Sequence, residues 1–102
     1  MPFTYMLQCS DGTYYVGSTF DLDRRVAQHQ NGEGAAYTRT RRPVRLVWVA
    51  EYDSIREAYL AEKQIQGWNH DKRRALVEGR YADLPQLART SRNRRDGRMP
   101  GD

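Results

Sequence analysis

Phe3-Thr4-Tyr5-Met6-Leu7-Gln8-Cys9, then Ser10-Asp11-Gly12, then Thr13-Tyr14-Tyr15-Val16-Gly17-Ser18, is the stretch on which the fold turns. Its two arms are rich in aromatic and β-branched residues, and the Ser-Asp-Gly between them is a turn signal, so the segment reads as a β-hairpin. The turn length sets the register. A two-residue Asp11-Gly12 turn pairs Tyr5 with Ser18 and points Tyr5 and Tyr15 to opposite faces. A three-residue loop with Gly12 left-handed pairs Cys9 with Thr13, Leu7 with Tyr15 and Tyr5 with Gly17, and puts both tyrosines on one face. In that register Gly17 leaves room beside the Tyr5 ring, although a strand glycine equally marks a bulge. Strand tyrosines are ordinarily core or rim residues, and nothing local separates that role from chemistry.

Downstream, helical spacing starts near Asp21, with Asp21 and Asp23 suited to the positive end of the dipole and Asn31-Gly32 as a stop. A Gly-rich then Arg-rich loop, residues 32–43, leads into residues 44–52, whose apolar run predicts a strand covered on both faces. Ser54-Ile55-Arg56-Glu57 is a capping box for a second helix ending at Gly67, and Asn69 or Asp71 opens a third that closes at Gly79. The order strand, strand, helix, strand, helix, helix predicts an α+β domain over residues 1–88: a small three-stranded antiparallel or mixed sheet flanked by three helices. Residues 89–102 are Arg, Ser, Asn, Gly and Pro with almost nothing to bury, and a disordered basic tail is expected there.

A chain of 102 residues supports one modest core, so one site is sought. Of the net charge of +4, residues 89–102 supply +3 from five arginines and two aspartates. That excess suits a polyanionic partner, and a solubilising tail has the same composition. No run is long enough to span a bilayer, and the amino terminus shows no basic-then-apolar signal, so a cytoplasmic protein without membrane contact is expected. Cys9 is the single cysteine, which excludes an internal disulfide. With only His29 and His70 to help it, soft ligands are too few for structural zinc.

Function is sought where a local pattern breaks its own rule. On a helical wheel with Ala58 at zero, Ile55 falls at about 60°, Ile65 at about −20° and Glu62 at about 40°, inside the apolar stripe. A carboxylate there needs a cation, a hydrogen-bond donor or a metal; a buried ion pair and a functional ligand both satisfy it. Glu57, by contrast, is explained by the capping box. With Leu22 at zero, Val26 lies at about 40°, His29 at about −20° and Arg25 at about −60°, so Arg25 and His29 line the stripe one turn apart and can converge on one ligand. Arg24, at about −160°, faces outward.

Phe3-Thr4-Tyr5, Tyr15-Val16-Gly17-Ser18-Thr19 and Asp21-Leu22-Asp23-Arg24-Arg25-Val26-Ala27-Gln28-His29, followed by Gly32-Glu33-Gly34-Ala35-Ala36-Tyr37-Thr38-Arg39 and Glu62, together resemble the signature of the GIY-YIG nuclease superfamily. The small bacterial single-domain members are the most similar, over roughly residues 3–88. Phe3-Thr4 stand where the first triplet has Gly-Ile, and Val16 replaces the second Ile. The tyrosines survive both departures. The resemblance implies a phosphodiester hydrolase with Tyr5, Tyr15, Arg25 and His29 as catalytic residues and Glu62 as ligand to Mg²⁺ or Mn²⁺. The mechanism that follows has Tyr5 as general base on water, assisted by Tyr15, with Arg25 on a phosphoryl oxygen and His29 orienting a tyrosine or relaying its proton.

DNA is the expected partner, with RNA as the alternative, and no organic cofactor is implied. Nothing in the chain resembles a second domain for reading base edges, so weak sequence specificity is expected, with a preference for single-stranded or branched substrates. Arg39, Arg41, Arg42 and Arg45 are the candidate phosphate contacts. Tyr37 and Trp68 could stack on bases or simply pack. The rival from another class is a non-catalytic nucleic-acid-binding module on the same fold.

Overall fold

The computed structural model describes residues 1–84; the basic segment at 89–102 lies outside them. Elements follow in the order β1 (Phe3–Gln8), β2 (Tyr14–Thr19), α1 (Leu22–Gln30), α2 (Ala36–Arg39), β3 (Arg45–Glu51), α3 (Ile55–Gln66), α4 (His70–Val77) and a 3₁₀ turn (Tyr81–Asp83). The α+β expectation holds, and the sheet is antiparallel throughout, in the order β2-β1-β3. One short helix, α2, interrupts what reads as a continuous loop over residues 32–43. The chain divides into two compact units, Met1–Glu62 and a second beginning at Lys63.

In the first unit the hairpin adopts the three-residue loop. Cys9 N–H donates to Thr13 O (2.8 Å), Gly12 N–H to Cys9 O (3.0 Å), and Gly12 sits at φ +86°. The Asp11 carboxylate accepts from both the N–H and the hydroxyl of Thr13, which makes the corner rigid. The resulting register pairs Tyr5 with Gly17 and Leu7 with Tyr15. Tyr5 and Leu7 therefore face one side of the sheet, where they join Cys9 and Val44 in a core that Tyr15, Leu22 and Val26 pack against. Burying Leu7 completely stabilises the fold by about 2 kcal/mol. On the opposite face Thr4, also fully buried, donates its hydroxyl to Ala58 O of α3 (2.6 Å).

Being central and covered on both faces, β1 takes the role the sequence suggested for residues 44–52. That expectation does not hold for β3, which is an edge strand with Leu46 38 % and Val49 42 % exposed. An apolar run alone cannot distinguish a central strand from an edge one. A register shift opposite Met6 and Leu7 skips Val47 and bends β3. The Gln30 side chain fixes where β3 begins, bonding both the N–H and the carbonyl of Val44.

Helix boundaries follow the caps. Asp21 accepts from Arg24 N–H, Ser54 from Glu57 N–H, and Asn69, rather than Asp71, from Lys72 N–H. In the second unit the Arg73 guanidinium bonds the carbonyls of Ile65 and Gln66, satisfying two acceptors at the end of α3. The Lys72 ammonium lies 4.0 Å from the Trp68 ring centre, and Gly79, at φ +77°, follows the end of α4. Among the described residues no helix is long and apolar enough to cross a membrane.

Candidate active site

Four elements of the first unit converge. β1 supplies Tyr5, β2 supplies Tyr15 and Ser18, α1 supplies Arg25 and His29, and α3 supplies Glu62. The Tyr5 hydroxyl lies 2.9 Å from His29 Nε2, and His29 Nδ1 lies 2.8 Å from the Thr38 hydroxyl on α2. The Thr38 hydroxyl has one proton, which it donates to Ala35 O (3.0 Å). It must therefore accept from His29 Nδ1–H. In the neutral imidazole Nε2 then carries the lone pair, and the Tyr5 O–H donates to it. Both rings are held almost fully buried, with His29 at 1 % exposure and Tyr5 at 0 %.

Two glycines make this packing possible. A Cβ on Gly17 would stand 2.5 Å from Tyr5 Oη, and one on Gly34 would run into His29 Nδ1. The Tyr15 ring lies 6.5 Å from Tyr5 and 5.0 Å from His29 between centroids. On its outer side it stacks with Tyr37 (6.3 Å, 25° between planes), which carries the Arg41 guanidinium 3.9 Å over its face. Tyr15, Arg25, Gln28 and His29 line an open cleft of about 350 Å³, and Tyr5 lies behind them.

Burial pushes the Tyr5 phenol well above its ordinary range, and the neighbouring Tyr15 adds to this. The Arg25 cation and a hydrogen bond from it pull the other way without overcoming burial. Burial also lowers His29 below its ordinary 6.5, with Arg25 adding repulsion, so the imidazole is neutral at pH 7. The unfolded chain binds this proton more readily than the folded one. Stability is therefore lost as pH falls from about 6.5 toward the depressed folded value, and His29 contributes none of this dependence above 6.5. Urea titrations at pH 7.5 and pH 5.5 check it: the acid loss shrinks in His29→Gln, and an unchanged loss would place its origin elsewhere.

Glu62 receives a 2.6 Å hydrogen bond from the Ser18 hydroxyl at Oε1 and is half-buried. Among the described residues no three His, Cys, Asp or Glu side chains converge as a metal cage. A single carboxylate nonetheless suits Mg²⁺, which keeps several waters and completes its shell with substrate oxygens, so the donor set fits that ion.

Residues 1–75 match the GIY-YIG catalytic domain family. The chain belongs to that family. A UPF0213 protein of Halobacterium salinarum is 46 % identical over 76 residues, covering 74 % of this chain and 99 % of its own. A UPF0213 protein of Staphylococcus aureus is 40 % identical over 78 residues, covering 76 % and 95 %. The solution NMR structure of a UPF0213 protein from Bacillus halodurans shares 40 % identity at a TM-score of 0.50, covering 76 % of this chain and 84 % of its own. GIY-YIG domains form a nuclease-type, nucleic-acid-cleaving family, and the gathered tyrosines, arginine, histidine and glutamate are side chains that such chemistry can use.

Of the remaining site residues expected from the sequence, Tyr37 and Arg41 lie against the outer side of Tyr15. Arg39 is exposed at the end of α2. Arg41 is tied to Asp11 (3.1 Å) and to Tyr37 O, and Arg42 bonds the carbonyls of Arg39 and Gln30. Tyr37 forms the outer layer of the aromatic stack, 37 % exposed. Sequence reasoning passed over Thr38, Ser18 and Gly34, which hold His29 and Glu62 in place. The only local signal was Thr38 three residues after Ala35, the spacing that lets its hydroxyl bond back to the helix-opening carbonyl.

Proposed function

We propose that this GIY-YIG domain is a divalent-metal-dependent endonuclease that hydrolyses phosphodiester bonds in DNA with little sequence preference, favouring single-stranded or branched DNA. The observation that carries this reading is the ordered chain Tyr5 Oη, His29 Nε2, His29 Nδ1, Thr38 Oγ1 beside Arg25 and Glu62. Such a chain provides a route for a proton. Water attacks phosphorus and gives its proton to Tyr5 Oη as the Tyr5 proton moves to His29 Nε2. The bond from phosphorus to the leaving oxygen breaks, and that oxygen takes a proton from solvent. Arg25, which lines the cleft and also bonds Tyr5, neutralises a non-bridging oxygen. Drawing its guanidinium onto the phosphate would also open the buried phenol to water. Glu62, oriented by Ser18, would hold the Mg²⁺ or Mn²⁺, whose charge stabilises the leaving oxygen.

A second reading has one observation in its favour: Tyr15, not Tyr5, lines the cleft, and on that reading Tyr15 meets the water while Tyr5 and His29 support it.

The test is cleavage of labelled single-stranded, duplex and branched DNA, and of RNA, with Mg²⁺, Mn²⁺ or EDTA, comparing the native protein with Glu62→Gln. Metal-dependent cutting lost in folded Glu62→Gln supports the nuclease. Binding without cutting supports a non-catalytic module instead. Ser18→Ala removes the group that orients Glu62, and groups in that position typically govern metal affinity by about 10-fold to 100-fold. The Mg²⁺ concentration at half-maximal cutting should rise by about tenfold while the rate at saturating metal changes little. An unshifted Mg²⁺ curve would separate Ser18 from the metal.

A further inference from the structure

Arg25 faces two cavities. Beyond the cleft beside Tyr15, a second of about 470 Å³ opens where β2 passes into α1, and Ser18, Phe20, Arg24, Arg25, Gln28 and Ile55 contribute to its lining. Phe20 stands at its rim 65 % exposed and Ile55 39 % exposed, so a chain with a small core leaves an aromatic ring and an aliphatic side chain in water at one place. Arg24 is exposed on the same wall. The cavity is joined to the candidate active site through Arg25 and Gln28, which line both, and through Ser18, which bonds Glu62.

We infer that this second cavity is a subsite for the nucleotide next to the scissile phosphate, with its unpaired base stacked on Phe20 and its phosphate held by Arg24. The inference rests on the nuclease reading and adds to it a site that would account for a preference for unpaired strands. Two arginines outnumber the one carboxylate of the lining, Asp21, which accepts from Arg24 N–H as the cap of α1, and with a single exposed aromatic rim they match what one nucleotide presents, a phosphate on one side and a flat apolar face on the other. The volume is of the size that accepts a small organic group. A base inside a duplex has both faces stacked and cannot lie on Phe20, so the subsite selects strands that are single or frayed at this position. Sharing Arg25 makes occupancy of the subsite and placement of the reacting phosphate one event.

The experiment measures affinity in EDTA, where cutting is suppressed, for a short labelled single strand and a duplex of the same sequence. Phe20→Ala should weaken single-strand binding by about tenfold and duplex binding by less than about twofold, because stacking on one ring is lost only where a base is free. Phe20→Trp should restore the single-strand affinity. Arg24→Ala should weaken both strands and lower the salt dependence by about one phosphate contact. Unchanged single-strand affinity in Phe20→Ala, equal weakening of both forms, or no strand binding by the native protein would each overturn the subsite. Cutting of the same strands with Mg²⁺ keeps the two ideas apart. Cutting without a Phe20 effect removes the subsite alone, and a Phe20 effect without cutting removes the nuclease and leaves a binding module.

Discussion

Replacing Tyr5 by Phe is expected to slow phosphodiester cleavage by about a thousandfold while the protein stays folded, the scale lost when a positioned proton acceptor is removed. Only one oxygen is deleted, and the ring keeps its place against Gly17 and Tyr15. His29 Nε2 loses its donor, and an acceptor left unsatisfied in a buried site costs about 1–2 kcal/mol, a modest drop in melting temperature. The pH profile identifies the route. Burial holds the phenol far above neutrality, so direct ionisation would make the rate climb only at strongly alkaline pH. Transfer to a neutral His29 instead makes the rate fall on the acid side, through a midpoint below the ordinary histidine value of 6.5. Single-turnover rates across pH 5 to 10 for native protein, Tyr5→Phe and Tyr15→Phe decide between them. Should Tyr15→Phe prove the more damaging substitution, the residue lining the cleft is the base and Tyr5 supports it.

The sequence was partly legible where one residue fixes a local geometry. Asp11-Gly12 marked the turn but left two-residue and three-residue loops open; the structure takes the three-residue loop with Gly12 left-handed, and that puts Tyr5 and Tyr15 on one face. Helical periodicity located Glu62, Arg25 and His29 because a polar group inside an apolar stripe conflicts with its surroundings, and a conflict can be seen without knowing the partner. The partners were not legible. Ser18 lies 44 residues from Glu62, and Thr38 reaches His29 from the one-turn helix α2, in a stretch whose Gly, Ala and Thr composition gives no period. The short α2 has no side-chain cap at its start, which is why no boundary signal announces it. Nor could the apolar run of β3 show that it lies at an edge, since strand order depends on pairing between distant segments. Arg41 and Arg42 look like phosphate contacts in the sequence, and in the structure Arg41 bonds Asp11 and Tyr37 O while Arg42 bonds the carbonyls of Arg39 and Gln30. A cation at the surface and a cation organising a loop have the same sequence signature.

Gly17→Ala tests whether the site depends on that packing, and it should damage both stability and activity although it adds a single methyl and removes no polar group. The new Cβ would sit 2.5 Å from Tyr5 Oη and 2.7 Å from Cζ, closer than real contacts allow, so the ring must move. There is little room for it to do so. Tyr5 is fully buried on the central strand, with His29 at its hydroxyl and Tyr15 beside it. Overpacking of this kind costs about 1–3 kcal/mol in stability. Its effect on rate is larger in proportion, because a shift of about 1 Å in a reacting group costs about a hundredfold. Thermal melting and single-turnover cleavage measured on one preparation separate the two losses. The double variant Gly17→Ala with Tyr5→Phe sharpens the test, since removing the hydroxyl relieves the closest clash. Stability should recover in part while the rate stays at the level of Tyr5→Phe alone. If Gly17→Ala melted and cut like the native protein, Tyr5 would have freedom that this packing denies it, and a base held in place by a missing side chain would be the wrong account of the site.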